Sequence, residues 1–172
     1  MSRSLVGTVC RGRGVASEHL REYAQELERI LGAPPIPGTL NLILQGPLGL
    51  DVQQCALVRD KRFFWSASVA GIPVLAYRWP GCPLHILEIV APLMLRAHLG
   101  AGDGDSVSIA VEGKQTLTPK QRLSWSILWS LRQDRFYASD YPFLIKHFKR
   151  LWRNASQRSC FRGQSGHGPT AL

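Results

Sequence analysis

In Gly38-Thr39-Leu40-Asn41-Leu42-Ile43-Leu44 the apolar side chains recur at every second position. Leu40, Leu42 and Leu44 alternate with Thr39, Asn41 and Ile43, which is the pattern of a strand with one face in an apolar core. Pro34, Pro35 and Pro37 force an extended approach to it. The polar pair Thr39 and Asn41 falls on one face at the strand's entry.

Upstream, the period changes. Leu20, Tyr23, Leu27 and Ile30 follow Ser17 at helical spacing, and Gly32 stops the run, so the spacing predicts one helix of about three to four turns. Before it, residues 5–10 read as a strand that enters the glycine cluster Gly12-Arg13-Gly14. Downstream, residues 63–69 and 72–77 are strand candidates around Gly71, and residues 85–90 form a short apolar run with Glu88 embedded in it. Ala91-Pro92 opens a helical turn through Leu93, Leu95, Arg96 and Leu99 that Gly100 closes. Gly102-Asp103-Gly104-Asp105 is a turn, and Val107, Ile109 and Val111 alternate as a last strand. Many short strands with one or two short helices predict a mainly β closed barrel in preference to a sandwich or a Rossmann unit.

Charge divides the 172 residues unevenly. Residues 1–113 carry ten Lys/Arg against ten acids, so the net charge of +9 arises entirely from the remainder, where Asp134 and Asp140 are the only acids. A role in binding polyanions therefore belongs to the C-terminal part and not to the barrel. With 45% hydrophobic residues the chain is not a disordered one. The apolar stretch at residues 5–10 ends at Arg11, too short for a secretory signal, and residues 63–77 are too short and too broken to span a membrane. Cys10, Cys55, Cys82 and Cys160 form no CxxC pair and match neither a disulfide framework nor a zinc site. Four reduced thiols in a cytoplasmic protein is the expectation.

Beyond Gly113, Trp125 and Trp129 with Leu123, Ile127, Leu128 and Leu131 fit a helix begun after Thr118-Pro119. A second helix is expected over residues 140–152, within a basic helical extension covering 114–153, and residues 154–172 are expected to be disordered.

Few residues announce chemistry individually. Gly12-Arg13-Gly14 after a strand can close backbone N–H groups on phosphate, or be a plain turn. It lacks the Lys-Ser/Thr ending of a P-loop and the third glycine of the dinucleotide fingerprint. Thr39 and Asn41 offer hard oxygen ligands suited to Mg²⁺, or serve the turn that precedes the strand. Glu88, between Leu87 and Ile89, is costly to bury unpartnered, so it faces solvent from an edge or binds something. His85 reads as a surface or otherwise satisfied residue and not as a ligand.

Their order along the chain carries more information. Gly7-Thr8-Val9-Cys10-Arg11-Gly12-Arg13-Gly14, then Pro37-Gly38-Thr39-Leu40-Asn41-Leu42, then Leu87-Glu88-Ile89-Val90-Ala91-Pro92-Leu93-Met94-Leu95-Arg96, and finally Gly102-Asp103-Gly104-Asp105-Ser106-Val107 resemble the archaeal-type CTP-dependent riboflavin kinases over residues 5–113. The resemblance implies a six-stranded closed cradle-loop (RIFT-like) barrel that transfers the γ-phosphoryl of CTP to the primary hydroxyl of riboflavin, giving FMN and CDP. It implies that Gly12, Arg13, Gly14, Val15, Ala16 and Ser17, with Leu93, Met94, Leu95 and Arg96, bracket the nucleotide. By the same resemblance Thr39 and Asn41 hold Mg²⁺ and Glu88 contacts the flavin. No residue presents itself as a general base.

Three departures stand out. Ala16 and Ser17 occupy places where the family usually has a glycine and a basic residue. Pro80 stands where a threonine is expected to touch the flavin, and proline cannot donate a hydrogen bond. The basic extension has no counterpart in the minimal family domain. Another small hydroxylated acceptor is therefore an alternative to riboflavin. In a different class, Lys146, Lys149, Arg150 and Arg153 with Phe148 and Trp152 can grip nucleic acid, or seat a helix on an anionic membrane with Trp125 and Trp129 at its interface. The same aromatics can instead pack onto the barrel as a helical cap.

Overall fold

The computed structural model describes residues 2–12 and 14–138. Its strands are β1 (Ser2–Cys10), β2 (Leu40–Leu44), β3 (Leu57–Arg59), β4 (Arg62–Val69), β5 (Ile72–Arg78), β6 (Ile86–Val90) and β7 (Ser106–Glu112). Six of them close on themselves, all antiparallel, in the order β4-β5-β6-β2-β1-β7. β7 returns to β4 through Ala67 opposite Val111 and Ser68 opposite Ala110. β3 pairs with the first half of the same β4 edge and stands outside the closed circle. The predicted closed barrel is thus the observed fold, with one strand added.

Alternation sorts the side chains into an inner and an outer set. Leu40, Leu42 and Leu44 point inward with Val9, Trp65, Leu87, Ile89 and Val111. Inside this core the Trp65 indole N–H donates to the Asp51 carbonyl at 2.9 Å, so the large ring is buried without an orphaned donor. On the outside, Phe64, Leu75, Tyr77 and Val90 are covered by Leu20, Tyr23, Leu27 and Leu31. These last four belong to α1 (Ala16–Glu22) and α2 (Ala24–Leu31). Strands β5 and β6 are therefore buried on both faces, which is why residues 86–90 read as a continuous apolar run and not as an alternation.

The single helix expected from Ser17 onward is two helices. Tyr23 leaves helical geometry at φ −111° and ψ 12°, where its hydroxyl donates to Asp60 at 2.7 Å. That break turns α2 so that Leu31 faces the barrel and Ile30 faces out. Gly32 ends it in the left-handed conformation, as the sequence predicts. With α3 (Leu95–Leu99) the barrel carries three short helices among the described residues, more than the one or two expected. β4 and β5 are joined by Ala70 and Gly71, both at positive φ, the two-residue turn that suits antiparallel strands.

After the barrel, α4 (Pro119–Ala138) begins where the Thr118 hydroxyl accepts the Gln121 N–H at 3.3 Å. Trp129 packs against Cys82 and Ile86, while Leu123, Ile127 and Leu131 are exposed. The Trp129 ring lies flat on the His85 imidazole, with centroids 4.8 Å apart and planes within 9°. His85 is not at the surface: it is buried, and its Nδ1 has no hydrogen-bond partner. The second helix expected over 140–152, the disorder expected over 154–172, Cys160 and Arg13 all lie outside the described residues. Cys10, Cys55 and Cys82 are free thiols. No helix among the described residues is long and apolar enough to cross a membrane.

Burial pushes the His85 pKa down to about 4, with the Arg78 charge acting in the same direction. The unfolded chain then binds a proton that the folded chain refuses, so this site's stability is complete above the ordinary value near 6.5. It is lost progressively as the pH falls from about 6.5 to about 4. His85→Phe, which keeps a ring beneath Trp129, is expected to flatten that acid limb in thermal melts taken at intervals between neutral pH and pH 4. An acid limb as steep as the wild type's would exclude His85 as its source.

Candidate functional site

Register brings together residues that the sequence keeps far apart. Tyr77 on β5 stands opposite Glu88 on β6, Glu88 opposite Asn41 on β2, and Asn41 opposite Cys10 on β1. Residues directly opposite on neighbouring strands share a face, and this row lies on the outside of the barrel, back to back with inward-pointing Ala76, Ile89, Leu40 and Val9. Across four strands the outer face passes from a phenol through a carboxylate and an amide to a thiol. Helices α1 and α2 cover the apolar continuation at Phe64 and part of Tyr77, and Tyr77, Glu88 and Asn41 border open space.

That space is a cavity of about 670 Å³. Gly12, Gly14, Val15, Ala16 and Ser17 line one side of it, Thr39, Asn41 and Glu88 line the strand side, and Arg96 contributes from α3. Gly12 lies so close above Asn41 that a Cβ there would run into the Asn41 amide nitrogen. The loop thus needs glycine at this position because backbone rests on a side chain. Of the segment 93–96, only Arg96 reaches the cavity. Leu95 is in the core, Leu93 packs partly against it, and Met94 is 61% exposed.

The oxygen atoms converge. The Thr39 hydroxyl donates to Glu88 Oε2 at 3.2 Å and lies 3.5 Å from Asn41 Oδ1. Asn41 Nδ2 donates to the Thr39 carbonyl at 3.2 Å, which turns its Oδ1 toward the Thr39 hydroxyl. Glu88 is only 6% exposed, so the edge-facing alternative is excluded. A hydroxyl with an amide oxygen and a carboxylate gathered around it forms a hard-donor set that fits Mg²⁺ and fits soft metals poorly. Among the described residues no group of three or more His, Cys, Asp or Glu gathers as a metal cluster.

Arg96 is fixed by two partners: its Nη2 donates to the Cys10 carbonyl at 2.8 Å and pairs with Asp103 at 2.7 Å. It therefore anchors the end of β1, from which the glycine loop departs. Burial pushes the Cys10 thiol up to about 11, with Asp103 adding and Arg96 opposing, so the thiol stays protonated and is no nucleophile. Burial, reinforced by Glu88, pushes the Tyr77 phenol up to about 12. Among the described residues the site offers polar and cationic positioning groups and no activated nucleophile.

Arg62, Tyr77 and Trp79 also line the cavity, and sequence reasoning did not single them out. The available signal is slight: Tyr77 lies near the end of β5 and Trp79 just beyond it, two residues on, where a strand's alternation would keep both on one face. Pro80 is half-buried beside them and does not line the cavity.

Fold and cavity together define a class: a closed antiparallel barrel with an oxygen-rich outer strip beneath a glycine loop. Comparison with known proteins narrows it. No family model matches the chain. Archaeal proteins named riboflavin kinase do, including one from Thermococcus kodakarensis that is 32% identical over 124 residues, covering 62% of this chain and 58% of that protein. One from Pyrococcus abyssi is 32% identical over 123 residues, with the same coverage of 62% and 58%. One from Saccharolobus solfataricus is 27% identical over 118 residues, covering 58% of this chain and 67% of its own. The chain is accordingly similar over much of its length to archaeal proteins named riboflavin kinase, in line with its motifs. It spans less than two thirds of the length of the first two of these relatives, 58% in each case.

Proposed function

We propose that this chain is a riboflavin kinase that transfers the γ-phosphoryl of CTP to the primary hydroxyl of riboflavin. The observation that carries the reading is the meeting, in one cavity, of the glycine loop, Thr39, Asn41, Glu88 and Arg96, residues drawn from three separate motifs. The names of the archaeal relatives support the acceptor and the reaction type. The choice of CTP rests on the motif resemblance.

In the transfer, the acceptor oxygen bonds to the γ-phosphorus as the bond to the β–γ bridging oxygen breaks. FMN and CDP are the products, and the hydroxyl proton is released. A loose transition state of this kind asks for alignment and charge neutralisation more than for a strong base. Glu88 accepts a hydrogen bond from the acceptor hydroxyl and aims it. The backbone of residues 12–17 cradles the phosphates, and Arg96, held by Cys10 and Asp103, adds fixed positive charge. Thr39 and Asn41 would hold Mg²⁺, which would supply charge neutralisation for the nucleotide's phosphates.

Purified protein given riboflavin, Mg²⁺ and each of CTP, ATP, GTP and UTP is expected to form FMN, with kcat/KM for CTP at least about 10-fold above the others. FMN is read by chromatography. Phosphorylation of a different hydroxylated acceptor, with riboflavin untouched, would keep the kinase and replace its substrate; no turnover across nucleotides and acceptors by folded protein would remove both.

A further inference from the structure

We infer that Trp79 and Arg62 form the seat for the flat ring of the acceptor and thereby set acceptor specificity. The inference rests on the riboflavin kinase reading of the cavity and extends it to residues outside the matched motifs.

The β4–β5 register sets Phe64 opposite Tyr77 and Phe63 opposite Arg78, so Arg62, the first residue of β4, and Trp79, which follows the last residue of β5, lie at the same end of that pair. Both line the cavity. They lie one to two strands beyond Glu88 in the sheet order, about 5–10 Å at ordinary strand spacing. A five-carbon ribityl chain with its terminal hydroxyl at Glu88 spans that interval and delivers its ring to this pair.

Each partner is suited to a planar, carbonyl-bearing ring. Trp79 is half-buried and rests on Tyr77, with centroids 6.0 Å apart, and Tyr77 stacks on Phe64 at 4.9 Å. The indole is thus backed by fixed rings while part of it meets the cavity. Arg62 is held in place as well: Nη1 donates to the Tyr23 hydroxyl at 3.1 Å, and the guanidinium lies 5.9 Å from the centre of the Tyr23 ring. A guanidinium carries five N–H donors in one plane, more than these contacts consume, and a ring carbonyl at the edge of a stacked heterocycle is their natural acceptor. This arrangement supplies the donor that Pro80 cannot. A purely structural role would have Arg62 tie the α1–α2 junction to the β3–β4 hairpin through Tyr23, and Tyr23→Phe separates the two roles.

Steady-state kinetics on the full chain with riboflavin and CTP decide the matter, together with the quenching of flavin fluorescence on binding. Trp79→Leu is expected to raise the riboflavin KM about 10-fold with the CTP KM unchanged, and to lose most of the quenching. Trp79→Phe should recover most of the affinity. Arg62→Gln is expected to raise the riboflavin KM similarly, Arg62→Lys less so, and Tyr23→Phe to leave it near wild type. An unchanged riboflavin KM in both Trp79→Leu and Arg62→Gln overturns the seat while leaving the kinase standing. Equal rises in the KM for riboflavin and for CTP also overturn it, as does a Tyr23→Phe effect as large as that of Arg62→Gln. Absence of FMN from the wild-type protein overturns the kinase reading and the seat with it. If Trp79→Leu fails to fold, Trp79→Phe read by quenching depth and Arg62→Lys read by KM carry the same decision.

Discussion

Asn41→Ala is expected to lower riboflavin phosphorylation by about 100- to 1,000-fold while leaving the melting temperature close to wild type. The amide stands at the centre of the polar row, between Cys10 and Glu88 across the sheet. Its oxygen belongs to the donor cluster with Thr39 and Glu88, its nitrogen holds the Thr39 carbonyl, and the glycine loop lies against it. Alanine removes the first two functions and leaves a gap beneath the third. Asn41→Asp keeps an oxygen in place but loses the donor to Thr39 and adds charge beside Glu88, so an intermediate loss is expected. Gly12→Val provides an independent approach to the same atoms: its side chain must displace the amide, reproducing the kinetic defect with every oxygen donor still in the sequence. Titrating Mg²⁺ and CTP separately at saturating riboflavin distinguishes a lost metal ligand from a lost phosphate cradle. Activity of Asn41→Ala within a few-fold of wild type would mean that the oxygen cluster is structural and that the phosphoryl donor binds elsewhere.

How much of this was legible beforehand follows from what each signal depends on. Strands β1, β2, β4, β5 and β7 could be read from period and turn residues, because alternation and glycine are local properties. β3 could not: it is three residues long, and its hairpin turns on Asp60 and Lys61, both at positive φ without a glycine. The break at Tyr23 escaped for a related reason, since it is stabilised by Asp60 from a distant hairpin. Glu88 was conspicuous as an acid in an apolar run, whereas its partner Thr39 is 49 residues away and only the β2–β6 register brings them together. Trp79 and Arg62 lie outside every recognisable motif, and the pairing of β4 with β5 brings the start of one strand and the end of the other to the same cavity. In α4 the apolar spacing is real, yet Leu123, Ile127 and Leu131 face outward and Trp129, among the helix residues whose burial is described, is the one buried, because helical period fixes which residues share a face and not which face meets the barrel. The charge change near Gly113 is likewise a property of composition; contacts to the barrel continue past it at Gln115, which bridges to Leu50, and at Leu117, beside Gly49.

Arg78→Met is expected to cost about 3–5 kcal/mol of stability and about 10–15 °C in melting temperature. Arg78 ends β5 and is 1% exposed, the most deeply buried charge described in the barrel. Its Nη1 donates to the Leu48 carbonyl, and its Nη2 donates to the carbonyls of Leu84 and Ile86 at 2.8 Å each. Leu48 belongs to the segment between β2 and β3, Leu84 to the segment between β5 and β6, and Ile86 opens β6, so one guanidinium ties together two connections. Burial lowers its pKa, but an arginine begins so high that the group remains charged. Two opposing quantities determine the size of the effect. Each hydrogen bond from a charged donor contributes about 1.5–3 kcal/mol, whereas holding the charge away from water costs several kcal/mol that methionine recovers. Were these equal, Arg78→Met would be neutral. They are not expected to be equal, because methionine fills much of the volume but leaves the Leu48 carbonyl without its donor, and the Leu84 and Ile86 carbonyls with only the Leu48 N–H and the weak Cys82 thiol, in a buried region. Arg78→Lys separates charge from geometry: its compact ammonium keeps the charge but cannot span three carbonyls as a planar fork does, so it should fall between the wild type and methionine. Trp79 and Pro80 follow Arg78 directly, and a loosened β5–β6 connection should therefore also raise the riboflavin KM in both variants. A methionine variant that melts with the wild type would show that the guanidinium's desolvation cancels its bonds, and that loop closure rests on the backbone pairs from Leu48 to Leu84 and from Leu44 to His85 alone.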